Sequence, residues 1–252
     1  MKCQNDRPPL LGVLGGMGPL ATVDFLKKLI EETPATRDQE HMPVIAYSVP
    51  QIPDRPAAII AGGESPLPHM LAGIEKLKAA GAEAIAIACN TAHYWYDELV
   101  RDGGLPILHI ADAACNELAR RGIKATRVGL IATKGTVAAG FFQQRLVRHG
   151  YECVLSNERE QDDWVLPAIG HVKRNELASA HTLALKAAEA LLARGATAIV
   201  LGCTEIPLAI EHTPSNVGQA CVDATRALAR ACVTWHTTGE VPGQLFKRTV
   251  RV

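Results

Sequence analysis

Short apolar runs alternate along the chain with longer stretches in which apolar residues recur every three or four positions. The runs "LLGVLG" (10–15), "PVIAYSV" (43–49), "AIAIAC" (84–89), "PILHI" (106–110), "RVGLIAT" (127–133), "ECVL" (152–155) and "AIVLGC" (198–203) read as strands buried on both faces. Between them, "PHMLAGIEKLKAAG" (68–81) and "LASAHTLALKAAEALLARG" (177–195) carry helical periodicity and end at Gly, as helix C-termini commonly do. Strands alternating with helices predict an α/β chain whose parallel sheet is covered on both faces.

The pattern occurs twice. "GVLGGMGPLATVDFLKKLI" (12–30) lies without a gap on "GLIATKGTVAAGFFQQRLV" (129–147), matching strand, glycine turn and helix. "AAGAEAIAIACNT" (79–91) lies in the same way on "ARGATAIVLGCTE" (193–205), so that Cys89 and Cys203 end equivalent strands. Two related α/β domains are therefore expected. Ligands of open parallel sheets bind beyond the carboxyl ends of the strands, and two facing domains would turn both thiols into one cleft.

Composition narrows the chemistry. Of 252 residues 48% are hydrophobic and 4% aromatic, a globular profile with enough chain for a substantial core. The 26 basic and 26 acidic residues cancel, so no overall field attracts nucleic acid or an anionic membrane. An anionic substrate must be held by local groups. No apolar run approaches the roughly 20 residues that span a bilayer, and "MKCQNDRPPLLGVLGG" lacks a signal-peptide core; a soluble, cytoplasmic protein is expected. The seven cysteines contain no C-x-x-C pair, which argues against a disulfide framework or a four-thiolate zinc site. Cys3, Cys115, Cys153, Cys221 and Cys232 read as small buried hydrophobes.

Cys89 and Cys203 stand apart because small polar residues follow them, "CNT" and "CTE", as at a helix start. Free N–H groups there would favour a thiolate, against an ordinary thiol pKa of about 8.5. One thiol could then serve as base and the other as acid. Two such groups on opposite faces of a carbon centre invert it without metal or nucleotide. Removing the α-proton of an amino acid also requires donors aimed at the carboxylate, for which Asn90, Thr91, Thr204 and the helix-start N–H groups are suited.

The motifs "GGMGPLAT" (15–22), "PQIPDR" (50–55), "CNTAH" (89–93), "LIATKGTVAAG" (130–140) and "LGCTE" (201–205) resemble, in order, those of the aspartate/glutamate racemases that work without pyridoxal phosphate, most closely the aspartate racemases. The resemblance runs from about residue 10 to 232. It implies two flavodoxin-like domains related by a pseudo-twofold axis, residues 1–111 with 214–252 and residues 112–213, with the active site in the cleft between them. It implies that Cys89 and Cys203 are the catalytic thiols and that Arg55 and Lys173 contact substrate carboxylates. Asn90, Thr91, Thr204 and Thr133 carry over as carboxylate ligands, and Met17 through its backbone N–H. Glu205 and His93 either steer a thiol's protonation or satisfy local hydrogen bonds. The resemblance further implies a small acidic amino acid as substrate, no cofactor, no metal and a homodimer. One departure lies in "SNVGQACVDATRALARACV" (215–233), where the family's apolar strand is short and polar although Asp223 is kept. The tail "HTTGEVPGQLFKRTVRV" (236–252) lies beyond the resemblance.

Other readings compete. "GMGPLA" (16–21) fits a dinucleotide-binding turn, but that site needs an acidic residue ending the second strand, and "PVIAYSV" has none. Arylmalonate decarboxylases, maleate isomerases and hydantoin racemases share the architecture with altered cysteine use; a decarboxylase needs only one proton donor. A non-catalytic amino-acid-binding protein would bind aspartate without exchanging its α-proton. The expected function is racemisation of aspartate, with glutamate or a broader range as variants, because one methylene is worth only ~1–3 kcal/mol in a pocket.

Overall fold

The apolar runs pair into two four-stranded parallel sheets of the same strand order. The structure, a computed structural model, describes residues 7–124, 127–210 and 216–241. In the first sheet β1 (Leu11–Gly15), β2 (Val44–Ser48), β3 (Ala84–Ile87) and β4 (Ile107–Leu108) lie in the order β2-β1-β3-β4. In the second, β5 (Arg127–Ile131), β6 (Glu152–Leu155), β7 (Ala198–Leu201) and β8 (Cys221–Asp223) lie as β6-β5-β7-β8. Every residue of β1, β3 and β7 is buried, because helices cover both faces of these central strands. The edge strand β2 alternates exposed with half-buried residues.

In the first half the helices are α1 (Pro19–Glu32), α2 (Arg55–Ile60), α3 (Leu67–Ala79), α4 (Tyr96–Gly103) and α5 (Ile110–Arg120). The second half adds α6 (Lys134–Ala139), α7 (Phe141–Arg148), α8 (Glu158–Glu160), α9 (Leu166–Lys173) and α10 (Leu177–Ala193). It continues with α11 (Ile206–Ile210), α12 (Asn216–Ala220) and α13 (Ala224–Thr238). The turns after α3 and α10 close on Gly81 and Gly195, both with positive φ, as their sequences predict. Gly16, at φ 91°, is obligatory: a Cβ there would lie 2.3 Å from the Val49 backbone nitrogen. Its N–H donates to Thr22 Oγ1 at 2.9 Å, which pins the turn to the first coil of α1.

Two helices are exchanged between the halves. α5 leaves the first sheet and packs on α7, β8 and α13, while α13 leaves the second sheet and packs on α1 and β4. One apolar cluster consequently runs through both halves, joining Leu11, Val13 and Ala86 to Val128, Leu130 and Val200 by way of Ala114, Leu118, Leu228 and Cys232. Separate clusters fill the outer layer of each half. The exchange corrects one boundary. Residues 221–223 were expected with the first domain, yet β8 pairs with β7 in the second sheet; only α13 returns to the first. The parts of the expected boundaries at residues 1–6, 211–215 and 242–252, and Cys3 with them, lie outside the described residues.

Ion pairs buried in this junction fix its register. Lys28 on α1 is fully buried and contacts Asp24 Oδ2 at 2.5 Å and Asp223 Oδ2 at 2.7 Å. Asp223 Oδ1 also accepts from the N–H groups of Thr225 and Arg226, capping α13. Burial opposes the Lys28 charge, but the two carboxylates outweigh it and raise its pKa. The stability this contributes is present at neutral pH and is lost only as pH rises through that raised value. Beside it, Glu117 on α5 pairs with Arg120, Arg121 and, from α13, Arg230. Arg230 and Arg226 in turn reach Glu32 on α1.

Removing the ammonium while leaving two carboxylates in the junction strands buried charge. Lys28→Met should therefore lower the unfolding free energy by about 3–5 kcal/mol in urea titrations. Lys27→Met, which loses only the exposed pair with Glu31, should change it by no more than about 0.5 kcal/mol.

Candidate active site

The two central strands that follow each helix–glycine turn, β3 and β7, run out at their carboxyl ends into Cys89 and Cys203. Both thiols are buried, and both line one small cavity between the halves, a space of about 320 Å³ when the open solvent at its mouth is included. Met17, Arg55, Asn90 and Thr91 enter it from the first half, and Thr133, Lys173, Thr204 and Glu205 from the second. Ten of the residues singled out in the sequence thus surround one space, and His93 does not line it. Asp54, Pro56 and Ile169 also line it; Asp54 lies within the motif "PQIPDR" and Pro56 directly after it, while Ile169 carries no signal in the sequence. The halves meet closely here: a Cβ on Gly135 would lie 2.8 Å from Pro56 Cα, so only glycine lets α6 approach α2 this far.

The two thiols have different surroundings. Cys203 Sγ donates to Glu205 Oε2 at 3.0 Å, and Thr204 Oγ1 donates to the same oxygen at 3.2 Å. Burial and the adjacent Glu205 carboxylate push the Cys203 thiol well above its ordinary pKa, with Lys173 acting weakly the other way. The expectation that a following helix start would favour the thiolate therefore fails at Cys203: desolvation and a neighbouring negative charge prevail. Cys89 has a neutral neighbour. His93 Nδ1 donates to the Cys89 carbonyl at 2.9 Å, while its Nε2 accepts from the Ile110 N–H at 3.3 Å. Burial lowers the His93 pKa to about 4, so the ring is a neutral brace that holds the end of β3. Of its two sequence readings, local hydrogen bonding is the one the geometry supports.

Arg55 is 8% exposed rather than a solvated surface residue. Its Nη1 donates to the carbonyls of Ile52 and Pro53 at 2.9 and 3.0 Å, and its Nε has no partner. The adjacent Asp54 is occupied in capping α2 through Oδ1, at 2.8 Å from the Ala57 N–H. Asn90 is 2% exposed, and neither its amide nitrogen nor its amide oxygen has a partner. Thr133 caps α6, and its hydroxyl lies 3.0 Å from that of Thr91. Lys173, exposed at the end of α9, reaches the cavity from the second half. A larger space of about 1260 Å³, which includes open solvent, adjoins and shares Asp54, Arg55, Lys173 and Glu205 with it.

A buried cation without a carboxylate, an amide without partners and two thiols make a site for a small carboxylate-bearing molecule. Among the described residues no group of three or more His, Cys, Asp and Glu side chains is placed to hold a metal ion. Nor is any helix among them long and apolar enough to cross a membrane. Cys115, Cys153, Cys221 and Cys232 pack in or against the core and do not line the cavity: burial raises Cys115 and Cys221 to about 12 and Cys153 to about 11.

Comparison with known proteins agrees with this geometry. The chain resembles the aspartate racemase of Picrophilus torridus with a TM-score of 0.79 and 32% identity, covering 91% of this chain and 94% of that one. An aspartate racemase homologue from Pyrococcus horikoshii OT3 gives 0.71 and 26%, covering 90% and 98%. A broad specificity amino-acid racemase of Bacillus subtilis (strain 168) is 27% identical over 232 residues, 89% of this chain and 97% of its own. The family model for Asp/Glu/Hydantoin racemase matches residues 14–232, a span that takes in both sheets and both thiols. On that match the chain belongs to the Asp/Glu/hydantoin racemase family of enzymes.

Proposed function

We propose that this racemase inverts an acidic amino acid, aspartate foremost, by a two-thiol acid/base reaction that needs no cofactor. The observation that carries the reading is the pairing of two buried thiols, on equivalent strand ends, with a buried guanidinium in the same cavity that has no carboxylate partner and an open Nε. Arg55 offers a planar fork for one carboxylate and Lys173 a point charge for another, which favours a dicarboxylic amino acid. The aspartate racemase resemblance supports the same substrate class.

In the mechanism Cys203 stands as the acid, its proton held by burial and Glu205. Cys89 as thiolate takes the α-proton from one face, and Cys203 S–H delivers its proton to the other. The cycle leaves Cys89 protonated and Cys203 as thiolate, the form that runs the reverse direction. Charge developing on the α-carboxylate meets the Asn90 amide and the threonine hydroxyls, which line the cavity.

Proton NMR with L-aspartate in D2O, without added cofactor, combined with chiral chromatography, tests the reaction. Loss of the α-proton signal and appearance of the D-enantiomer are expected. Cys89→Ala and Cys203→Ala should each slow racemisation in both directions by roughly 10²–10⁴-fold. Full turnover in either variant would remove the two-thiol mechanism.

The working enzyme carries one proton shared over two sulfurs, so kcat/KM should be bell-shaped in pH, with an upper limb belonging to the pair in which Cys203 dominates. The Glu205 carboxylate raises Cys203, and neutralising it lowers that value again. Glu205→Gln should accordingly move the alkaline limb toward lower pH and narrow the bell; an unmoved limb would refute the role given to Glu205.

A further inference from the structure

Behind the cavity wall, three hydroxyls form a closed triangle. Thr91 Oγ1 lies 3.0 Å from Thr133 Oγ1 and 2.8 Å from Thr136 Oγ1, and Thr133 Oγ1 lies 3.0 Å from Thr136 Oγ1. Thr91 and Thr133 line the cavity; Thr136 is fully buried and does not. The Thr136 N–H also donates to Thr133 Oγ1 at 3.1 Å. A hydroxyl has one hydrogen and two lone pairs. With Thr133 donating to Thr136, the ring closes only if Thr136 donates to Thr91 and Thr91 to Thr133. All three hydrogens are then consumed, and none points at a ligand.

We infer that Thr136 is a positioning residue that lets Thr91 and Thr133 both donate to one substrate carboxylate. The inference rests on the carboxylate-binding role proposed above for those two residues. When a carboxylate enters, the Thr91 and Thr133 hydrogens rotate onto its oxygens. Thr91 still accepts from the Thr136 hydroxyl, and Thr133 still accepts from the Thr136 N–H. One acceptor site on Thr136 and one on Thr133 are vacated, and each hydroxyl oxygen of the pair facing the carboxylate keeps one donor from Thr136. Without the Thr136 hydroxyl, Thr91 has no donor to orient it, and its hydrogen is free to stay on Thr133. Because Thr91 belongs to the first half and Thr136 to the second, this support also requires the halves to be closed on each other.

The test measures L-aspartate binding by calorimetry and racemisation by chiral chromatography for Thr136→Val, Thr136→Ser, Thr91→Val and the Thr91→Val/Thr136→Val double variant. Thr136→Val keeps the shape and loses the hydroxyl; it should weaken aspartate binding and raise KM by roughly 10- to 100-fold, with a smaller change in kcat. Thr136→Ser keeps the hydroxyl and should restore most of the affinity. In the Thr91→Val background, Thr136→Val should add little, because its effect passes through Thr91. Wild-type affinity in Thr136→Val, a full additional loss in the double variant, or equal loss in Thr136→Ser would each overturn the inference. Should Thr136→Val not fold, Thr136→Ala against Thr136→Ser gives the same comparison. Absence of racemisation by the wild type, with aspartate still bound, would defeat the proposed reaction while leaving the role of Thr136 to be decided by the affinities.

Discussion

Two strand ends from two different sheets line one cavity, and the helix exchange between the halves holds them there. A single parallel sheet presents its carboxyl ends on one side only and cannot surround a carbon centre. Duplication of the unit supplies a second set, but two sheets joined by a loop would move as independent domains. The exchange of α5 and α13 removes that freedom: each sheet is completed by a helix that continues from the other, and one apolar core runs through both. The buried Lys28 fixes the register of the exchange. It binds Asp24 on its own helix and Oδ2 of the Asp223 whose other oxygen caps the returning one, so one carboxylate ties the start of α13 to α1.

The duplicated frame is nearly symmetric, and the chemistry depends on where the symmetry breaks. The repeat places Asn90 opposite Thr204 and Thr91 opposite Glu205. A carboxylate therefore stands beside one thiol, and a hydroxyl occupies the equivalent place beside the other. A racemase needs two groups of unlike protonation at any instant, though like in kind, since each must take the other's role when the substrate's hand changes. In the proposed mechanism one acidic side chain in a duplicated turn is enough to assign the resting proton. Thr91, free of that duty, joins Thr133 and Thr136 across the junction.

Much of this was legible in the chain. The alternation of buried strands with helices ending in glycine, and the ungapped internal match, gave both sheets and the equivalence of the two cysteines. The motifs also contain residues that the fold brings to one cavity. Local pattern failed where contacts at long sequence separation decide the outcome. β8 has three residues, too few for periodicity to show, and its pairing with β7 follows from the helix exchange rather than from its own composition. The Cys203 environment was misjudged because nearness to a helix start is visible in a sequence, whereas desolvation is not. Arg55 alone would read as a surface arginine; only the fold shows it buried against the carbonyls of Ile52 and Pro53. Thr136 lies within the motif "LIATKGTVAAG", but its role was not legible, since its partner on the other half lies 45 positions away.

The unpaired polar atoms in the cavity then acquire a physical sense. A buried donor or acceptor left without a partner costs about 1–3 kcal/mol, more if charged, and folded chains generally avoid it. Arg55 Nε and both ends of the Asn90 amide nevertheless stand open around the two thiols. Asp54, next in sequence to Arg55, could have neutralised it, but its carboxylate is turned to the start of α2. Had the two paired, an entering carboxylate would have to displace Asp54 before it could bind, and part of the binding energy would be lost. Directing Asp54 to a helix cap stabilises α2 and keeps the guanidinium available, so one residue resolves the conflict between a stable fold and an open site.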